Sequence, residues 1–360
     1  MITLASYLSS RLLLTALGTV AVLGALVQIL DLLDTTEDIL AMGEGASGFL
    51  FYVAMRTPSI LPEVLPLGVL LATLFVLAPL VRHGEIVAMR AAGMHVGRIF
   101  LAMLPALVVI ALGHYAIADG MRPPAERRLA EWWAENGVKT NKPVWLKIDG
   151  RIVEAGRVLD GGRRLENVRI FDRDLLDAVS TRTVAGAARY AEGRWTLDDA
   201  TVTDLRRQEI GTGRPADGVW NTRLRPRDVI EAMAPDANVS VGAAYDVLVG
   251  RRLAVAAPSV YATALQRAFA EPASDFVMLL LALPLAFASW RDGRSGRVFI
   301  LSLGAGLVFL LTDGVVATLG RAGVIQPALA AWSPSVGFAI LAFLLLRRLE
   351  GVRHPRGGTA

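Results

Sequence analysis

The feature that most constrains this chain is a series of apolar runs about as long as a bilayer is thick. A membrane-crossing helix needs roughly 20 apolar residues, because in hydrocarbon every backbone N–H and C=O must be paired within its own segment. Residues 12–30, 58–81 and 99–117 are three such runs. Residues 276–290 (extending back toward Glu271), 298–319 and 332–346 are three more. The chain is 54% hydrophobic and only 19% charged, where soluble domains run near one quarter charged, so six membrane helices are expected. A cleavable signal peptide is the other reading of the first run. The further runs and the lack of a small-x-small cleavage site argue against it.

Between the third and fourth runs, from Arg122 to Arg267, charge density rises and the periodicity becomes two. Val144, Leu146 and Ile148 alternate before Asp149-Gly150; Val168 and Ile170 alternate after Gly161-Gly162; Trp195 and Leu197 alternate, followed by Val202. Short alternating segments separated by Gly/Asp turns predict an antiparallel sandwich or barrel, with Trp145, Phe171 and Trp195 in its core. Residues 235–252 are less strand-like and read as a helical return. The chain therefore divides into 1–121 (three spans), 122–267 (a soluble β domain) and 268–360 (three spans and a short tail).

Arginine placement sets the orientation. Arg11; Arg82, Arg90 and Arg98; Arg291, Arg294 and Arg297; and Arg347, Arg348, Arg353 and Arg356 share one side, against Arg56 and Arg321 in the opposite short loops. Both termini are expected in the cytoplasm and the inserted domain on the far side. The net charge of +4 follows this topology and forms no nucleic-acid patch. The chain has no cysteine, which excludes disulfides, thiol catalysis and Cys-ligated zinc. Its four histidines lack HExxH spacing, no GxxxxGK[ST] stretch occurs, and no Ser/His/Asp or paired-carboxylate set stands out. The chain reads as neither an enzyme nor an ATPase, with no cofactor or metal of its own.

The segment RHGEIVAMRAAGM, Arg82 to Met94, lies between the second and third runs on the expected cytoplasmic side. It reads as a short coupling helix near 83–93 that stops at Gly93 and receives force from a separate ATPase.

Three stretches, in order, carry a family resemblance: LPEVLPLGVLLATLFVLAPLVRHGEIVAMRAAGM; the inserted domain with VWLKIDGRIVEA and WTLDDATV; and FVMLLLALPLAFASWRDGRSGR with AAWSPSVGFAILAFLLLRR. Together they resemble the lipopolysaccharide-export permeases of the LptF/LptG (YjgP/YjgQ) family. The start, LVQILDLLDTTEDI, is more similar to LptG. The resemblance implies six membrane helices with a periplasmic β-jellyroll between the third and fourth, in the inner membrane of a Gram-negative bacterium. It implies an LptF-like permease as heterodimer partner, an LptB-like ATPase dimer that binds the ATP, LptC-like and LptA-like periplasmic proteins, and lipopolysaccharide as cargo.

The resemblance assigns Glu85 to the coupling segment, where its carboxylate sits in the ATPase groove. The helix dipole favours a carboxylate in a first turn in any case. Arg82 and Arg90 are either docking residues or positive-inside anchors. Arg122, Arg127 and Arg128 either bind lipid phosphates, which suit the forked guanidinium, or form a solvated domain start paired with Glu126 and Glu131. Asp313, inside the fifth span, lines a lipid cavity, caps a backbone group, or pairs with an arginine such as Arg321. Asp31 is a second substrate-contact candidate or lies in the headgroup layer. Some relatives carry a lysine near the end of the first span, where this chain has Gln28 and Asp31. Ser302, Gly304 and Gly306 permit close helix approach, at a partner subunit or within the chain. The rival reading is a membrane-anchored periplasmic ligand-binding or sensor protein, disfavoured by tails of about ten residues that hold no output domain.

Overall fold

The computed structural model describes residues 2–91, 96–136, 143–173, 179–204, 214–215, 218–233, 239–252, 254, 256–292 and 295–351. The helices are α1 (Ile2–Ala41), α2 (Gly45–Arg82), α3 (Glu85–Ala91), α4 (Val96–Tyr115), α5 (Arg122–Glu135), α6 (Pro226–Met233), α7 (Val241–Leu248), α8 (Pro258–Asp292), α9 (Ser295–Arg321) and α10 (Pro327–Gly351). A π-helical turn, Ala116–Met121, joins α4 to α5. Contacts divide the chain into two units. One comprises Met1–Asp31, Thr57–Met121 and Ala262–Ala360; the other comprises Leu32–Arg56 and Arg122–Tyr261.

The first unit is helical. Leu8, Leu12 and Ala16 of α1, at a spacing of four, are buried with Val69, Leu77 and Leu80 of α2, Met103 and Leu107 of α4, Leu279 and Leu283 of α8, and Phe309 of α9. Outward positions are apolar too: Leu14 and Leu17 of α1, Leu101 and Leu112 of α4, Leu311 and Val315 of α9, and Ile340 and Leu344 of α10 are exposed. A helix apolar on every side belongs in a large core or in lipid. Five helical stretches among the described residues are long and apolar enough to cross a membrane: Ala5–Ala41, Gly45–Arg82, Gly97–Glu135, Ile300–Arg321 and Pro327–Arg348. The fourth expected run, 276–290, lies in α8. Ahead of Phe276, α8 carries Arg267, Glu271 and Asp275.

Two helices run beyond their apolar segments. α1 continues through Asp31, Asp34, Glu37 and Asp38 to Ala41. Pro58, Pro62, Pro66 and Pro79 all lie inside α2 and do not end it. Each proline lacks an N–H and frees the carbonyl four residues earlier, which a membrane helix tolerates where neighbours satisfy the backbone.

The second unit holds an antiparallel sheet of β1 (Val144–Ile148), β2 (Arg151–Leu159), β3 (Arg164–Arg173), β4 (Val179–Ala191), β5 (Arg194–Asp198), β6 (Thr201–Asp204), β7 (Arg214–Pro215) and β8 (Gly218–Trp220). The order is β1-β2-β3-β4-β5-β8, with β6 pairing β4 and β7. The sheet branches at β4: Thr181–Val184 pair with β6, and Ala187–Ala191 pair with β5. Asp149-Gly150, both at positive φ, close the β1–β2 hairpin in two residues, as an Asp-Gly type I′ turn does.

The period-two pattern meets the core as expected. Val144, Leu146, Ile148, Val153, Val168, Ile170, Trp195 and Leu197 are buried against Ala130 and Ala134 of α5 and Val229 and Ile230 of α6. Trp195 is 1% exposed, packs against Tyr190 and Trp220, and donates from Nε1 to the Leu224 carbonyl at 2.9 Å. Trp145 corrects the expectation. It is 53% exposed and stacks on half-buried Phe171 outside the core, because its neighbours Val144 and Leu146 take the inward face of β1. The helical return in 235–252 appears as α7, capped by the Ser240 hydroxyl, which accepts from the Ala243 amide. The core-forming helices α5 and α6 were not anticipated.

Candidate functional site

Glu85 opens α3 directly after Gly84, whose φ of +75° lets the chain turn out of α2. The turn closes through His83 N to the Pro79 carbonyl (2.9 Å) and Gly84 N to the Val81 carbonyl (3.2 Å). Ile86, 4% exposed, anchors α3 in the helical core. Glu85 is thus a half-buried carboxylate in the first turn of a seven-residue helix. Arg82, exposed, ends α2. The backbone of Arg90 lies in α3 while its side chain is outside the described residues, as is Gly93 altogether.

Arg122, Arg127 and Arg128 lie on α5. Its buried face is Pro123, Ala125, Glu126, Leu129, Ala130 and Ala134. Arg127 and Arg128 are exposed beside that face, and Arg122 is half-buried with partners of its own. All three belong to the second unit. Asp31, half-buried within α1, is also engaged.

Asp313 of α9 pairs with an arginine, and that arginine is Arg267, not Arg321. Arg267 Nη2 donates to Asp313 Oδ2 at 2.9 Å, and its Nε donates to Glu271 Oε1 at 3.0 Å. All three side chains are at most 19% exposed. Eight residues along α8 from Arg267, Asp275 Oδ2 lies 3.0 Å from His114 Nδ1 of α4; the side chains are 0% and 1% exposed. Arg267, Glu271 and Asp275 follow the i, i+4, i+8 spacing of one helix face, so a single stripe of α8 meets α9 at one end and α4 at the other. Beside it, Tyr115 stacks on Phe269 with centroids 5.8 Å apart, and Trp332 Nε1 donates to Gln266 Oε1 at 3.2 Å.

Sequence reading missed this stripe, though its signal was present: three ionisable residues four apart leading into an apolar run. Placing the domain boundary at Arg267 and the span at Phe276 split the stripe between a soluble domain and a membrane helix. His114 was weighed only against metal-binding spacings. The small residues of α9 resolve toward packing within the chain. A Cβ on Gly306 would lie 2.7 Å from Leu70 Cδ2 of α2, whereas Gly304 faces open space. No group of three or more His, Asp or Glu side chains fit to hold a metal occurs among the described residues.

Curated relatives match along nearly the whole chain. "Lipopolysaccharide export system permease protein LptG" of Escherichia coli K12 is 23% identical over 351 residues, covering 95% of this chain and 97% of that protein. The protein of the same name from Haemophilus influenzae is 24% identical over 341 residues, covering 91% and 94%. The family model described as "Lipopolysaccharide export system permease LptF/LptG" matches residues 6–348, taking in both the apolar helices and the antiparallel sheet, and the chain belongs to that family.

Proposed function

We propose that this chain is the permease subunit of an ABC transporter that extracts lipopolysaccharide from the inner membrane and passes it to a periplasmic bridge, driven by a separate cytoplasmic ATPase. The observation that carries the reading is the family match across residues 6–348, spanning both structural units. A helical unit with apolar outward faces suits a lipid-embedded permease. A permease subunit performs no chemistry of its own, in keeping with a chain that lacks a P-loop.

The finer features belong to the same proposal. The chain crosses the membrane six times, with α8 as the fourth span and its charged stripe facing protein rather than lipid, as intramembrane charges do. The arginine distribution puts both termini in the cytoplasm and residues 122–267, a β-jellyroll in this reading, in the periplasm. The partners are an LptF-like permease, two LptB-like ATPase subunits that bind the ATP, and LptC-like and LptA-like periplasmic proteins. Glu85 meets the ATPase at the start of α3, with Arg82, Arg90 and Gly93 shaping that segment. Arg127 and Arg128, exposed on α5, offer guanidinium forks to lipid phosphates, with Arg122 beside them. Asp31 and Asp313 fit direct substrate contact less well, since both are engaged within the chain.

The test is co-purification. Expressed with the candidate partner permease and the P-loop ATPase, the chain is expected to form one detergent-stable complex. In proteoliposomes that complex should release lipopolysaccharide to an added periplasmic acceptor only with ATP. A chain that purifies without any ATPase, or a complex that hydrolyses ATP with no lipid release, would overturn the reading.

A further inference from the structure

We propose that His114 and Asp275 form a proton-binding site inside the helical unit, filled while α4 and α8 are packed together and emptied as they part. The inference rests on the permease reading only in placing these helices within a membrane.

Charge balance is the first support. The groups along the α8 stripe are Arg267, Glu271 and Asp275, faced by Asp313 from α9 and His114 from α4; Tyr115 and Asp119 follow His114 in sequence. Arg267 is committed to both Glu271 and Asp313. With a neutral imidazole, an ionised Asp275 at 0% exposure has His114 as its hydrogen-bond partner and no cation paired with it among the described residues. A lone buried carboxylate is costly, and such groups are found neutralised or paired. One added proton makes the His114–Asp275 pair neutral overall, either as imidazolium with carboxylate or as imidazole with carboxylic acid. The step forms a single N–H or O–H bond, and the proton returns to water when the pair separates.

Unused hydrogen-bonding capacity is the second support. Among the described residues, His114 Nε2 and Asp275 Oδ1 are buried with no hydrogen-bond partner. A purely structural ion pair in a core is expected to have its remaining polar atoms satisfied. Here each partner keeps one atom able to accept or pass a proton. The third support is mechanical. One residue after His114, α4 gives way to the π turn Ala116–Met121, and π turns inside helices concentrate at functional positions. The contact that the proton would stabilise lies next to this irregularity. On the proposed orientation it lies near the periplasmic end of α4 and at the middle of α8.

The experiment is a thermal-unfolding series on the full-length chain in detergent between about pH 6 and pH 8.5, a window spanning histidine's ordinary titration. A site that holds its proton only when assembled contributes stability at the acid end and loses it as pH rises. The wild-type midpoint is expected to fall by about 2 °C or more across the window. Asp275→Asn, neutral and still able to hydrogen-bond His114, is expected to keep the acid-end midpoint and lose the slope. Asp275→Ala is expected to lower the midpoint throughout. A flat wild-type profile, or an Asp275→Asn variant that keeps the wild-type slope or drops as far as Asp275→Ala, would overturn the proposal. The readout needs neither ATPase nor lipopolysaccharide. Failure here removes the proton site and leaves the permease reading standing; loss of lipid release with an intact titration does the reverse.

Discussion

Arg267 Nη2 of α8 lies 2.9 Å from Asp313 Oδ2 of α9, and the same guanidinium holds Glu271 one turn along its own helix at 3.0 Å. One cation therefore serves two carboxylates in a mostly apolar bundle. Arg267→Met would remove the cation from two poorly exposed carboxylates, and is expected to cost about 3–5 kcal/mol, the range for breaking one side of a buried pair. Asp313→Asn, which leaves the Arg267–Glu271 pair intact, should cost clearly less. The triple change Arg267→Met, Glu271→Gln, Asp313→Asn should recover much of the loss. Denaturant titration of the purified chain in detergent measures all three.

Close approach of α9 to α2 at Gly306 gives a steric prediction. A Cβ there would meet Leu70 Cδ2 at 2.7 Å and Leu67 Cδ1 at 3.1 Å. Gly306→Val is expected to destabilise by about 1–3 kcal/mol through overpacking. Gly304→Ala, two residues away with nothing within 4 Å, should be tolerated. Equal melting midpoints for the two variants would contradict the packing described.

In the sheet unit, Trp195 fills the space beside Tyr190 and Trp220 and donates to Leu224. Trp195→Phe should cost about 1 kcal/mol, mostly the lost hydrogen bond, and Trp195→Ala about 3–5 kcal/mol. Near-ultraviolet circular dichroism followed through thermal unfolding would report both.

Asp149, in the β1–β2 turn, accepts from Thr222 Oγ1 (2.9 Å), Arg223 N (3.1 Å) and Arg223 Nε (2.8 Å). Partial burial works to raise its pKa, but the hydrogen bonds from Arg223 and Thr222 and the Arg223 charge outweigh it and hold the carboxyl below its ordinary value. A depressed folded-state pKa means the stabilisation is complete above the ordinary aspartate value, about 3.9, and is lost as pH falls through the folded value. Hydrogen exchange at the Arg223 amide is therefore expected to accelerate only at the acid end. Asp149→Asn should abolish that acid step.

Glu85 tests force transmission. Glu85→Lys changes one half-buried side chain in the first turn of α3 and leaves Ile86, the anchor, in place. The purified complex is expected to retain ATP hydrolysis while lipid release falls at least about tenfold, a change of about 1.4 kcal/mol in coupling. Unchanged release would remove Glu85 from the coupling path.

Hydrophobic patterning carried much of this architecture in the sequence. Apolar runs of bilayer length marked the long helices, and period-two alternation marked Val144, Leu146 and Ile148 as one face of a strand, because both follow from local geometry. The remaining features depend on distant partners. Whether Asp34 and Glu37 continue a helix or end it turns on what packs beside them, which no local pattern records. Trp145 looked like core because it is large and aromatic, yet strand alternation places it outward. The buried polar pairs of the helical unit were least accessible of all. The spacing of Arg267, Glu271 and Asp275 is visible in the chain, but their partners Asp313 and His114 come from other helices.

His114 and Asp275 stand 161 residues apart, with the entire sheet encoded between them. At about 5–20 residues per second, the ribosome needs roughly 10–30 s to deliver the second residue after the first. Throughout that interval α4 carries an imidazole whose buried partner does not yet exist. Until then α4 can pack only on the α1 and α2 side of its core. Arrival of α8 supplies that partner late, so truncation anywhere before Asp275 yields a product lacking the His114 contact, whatever the state of its sheet.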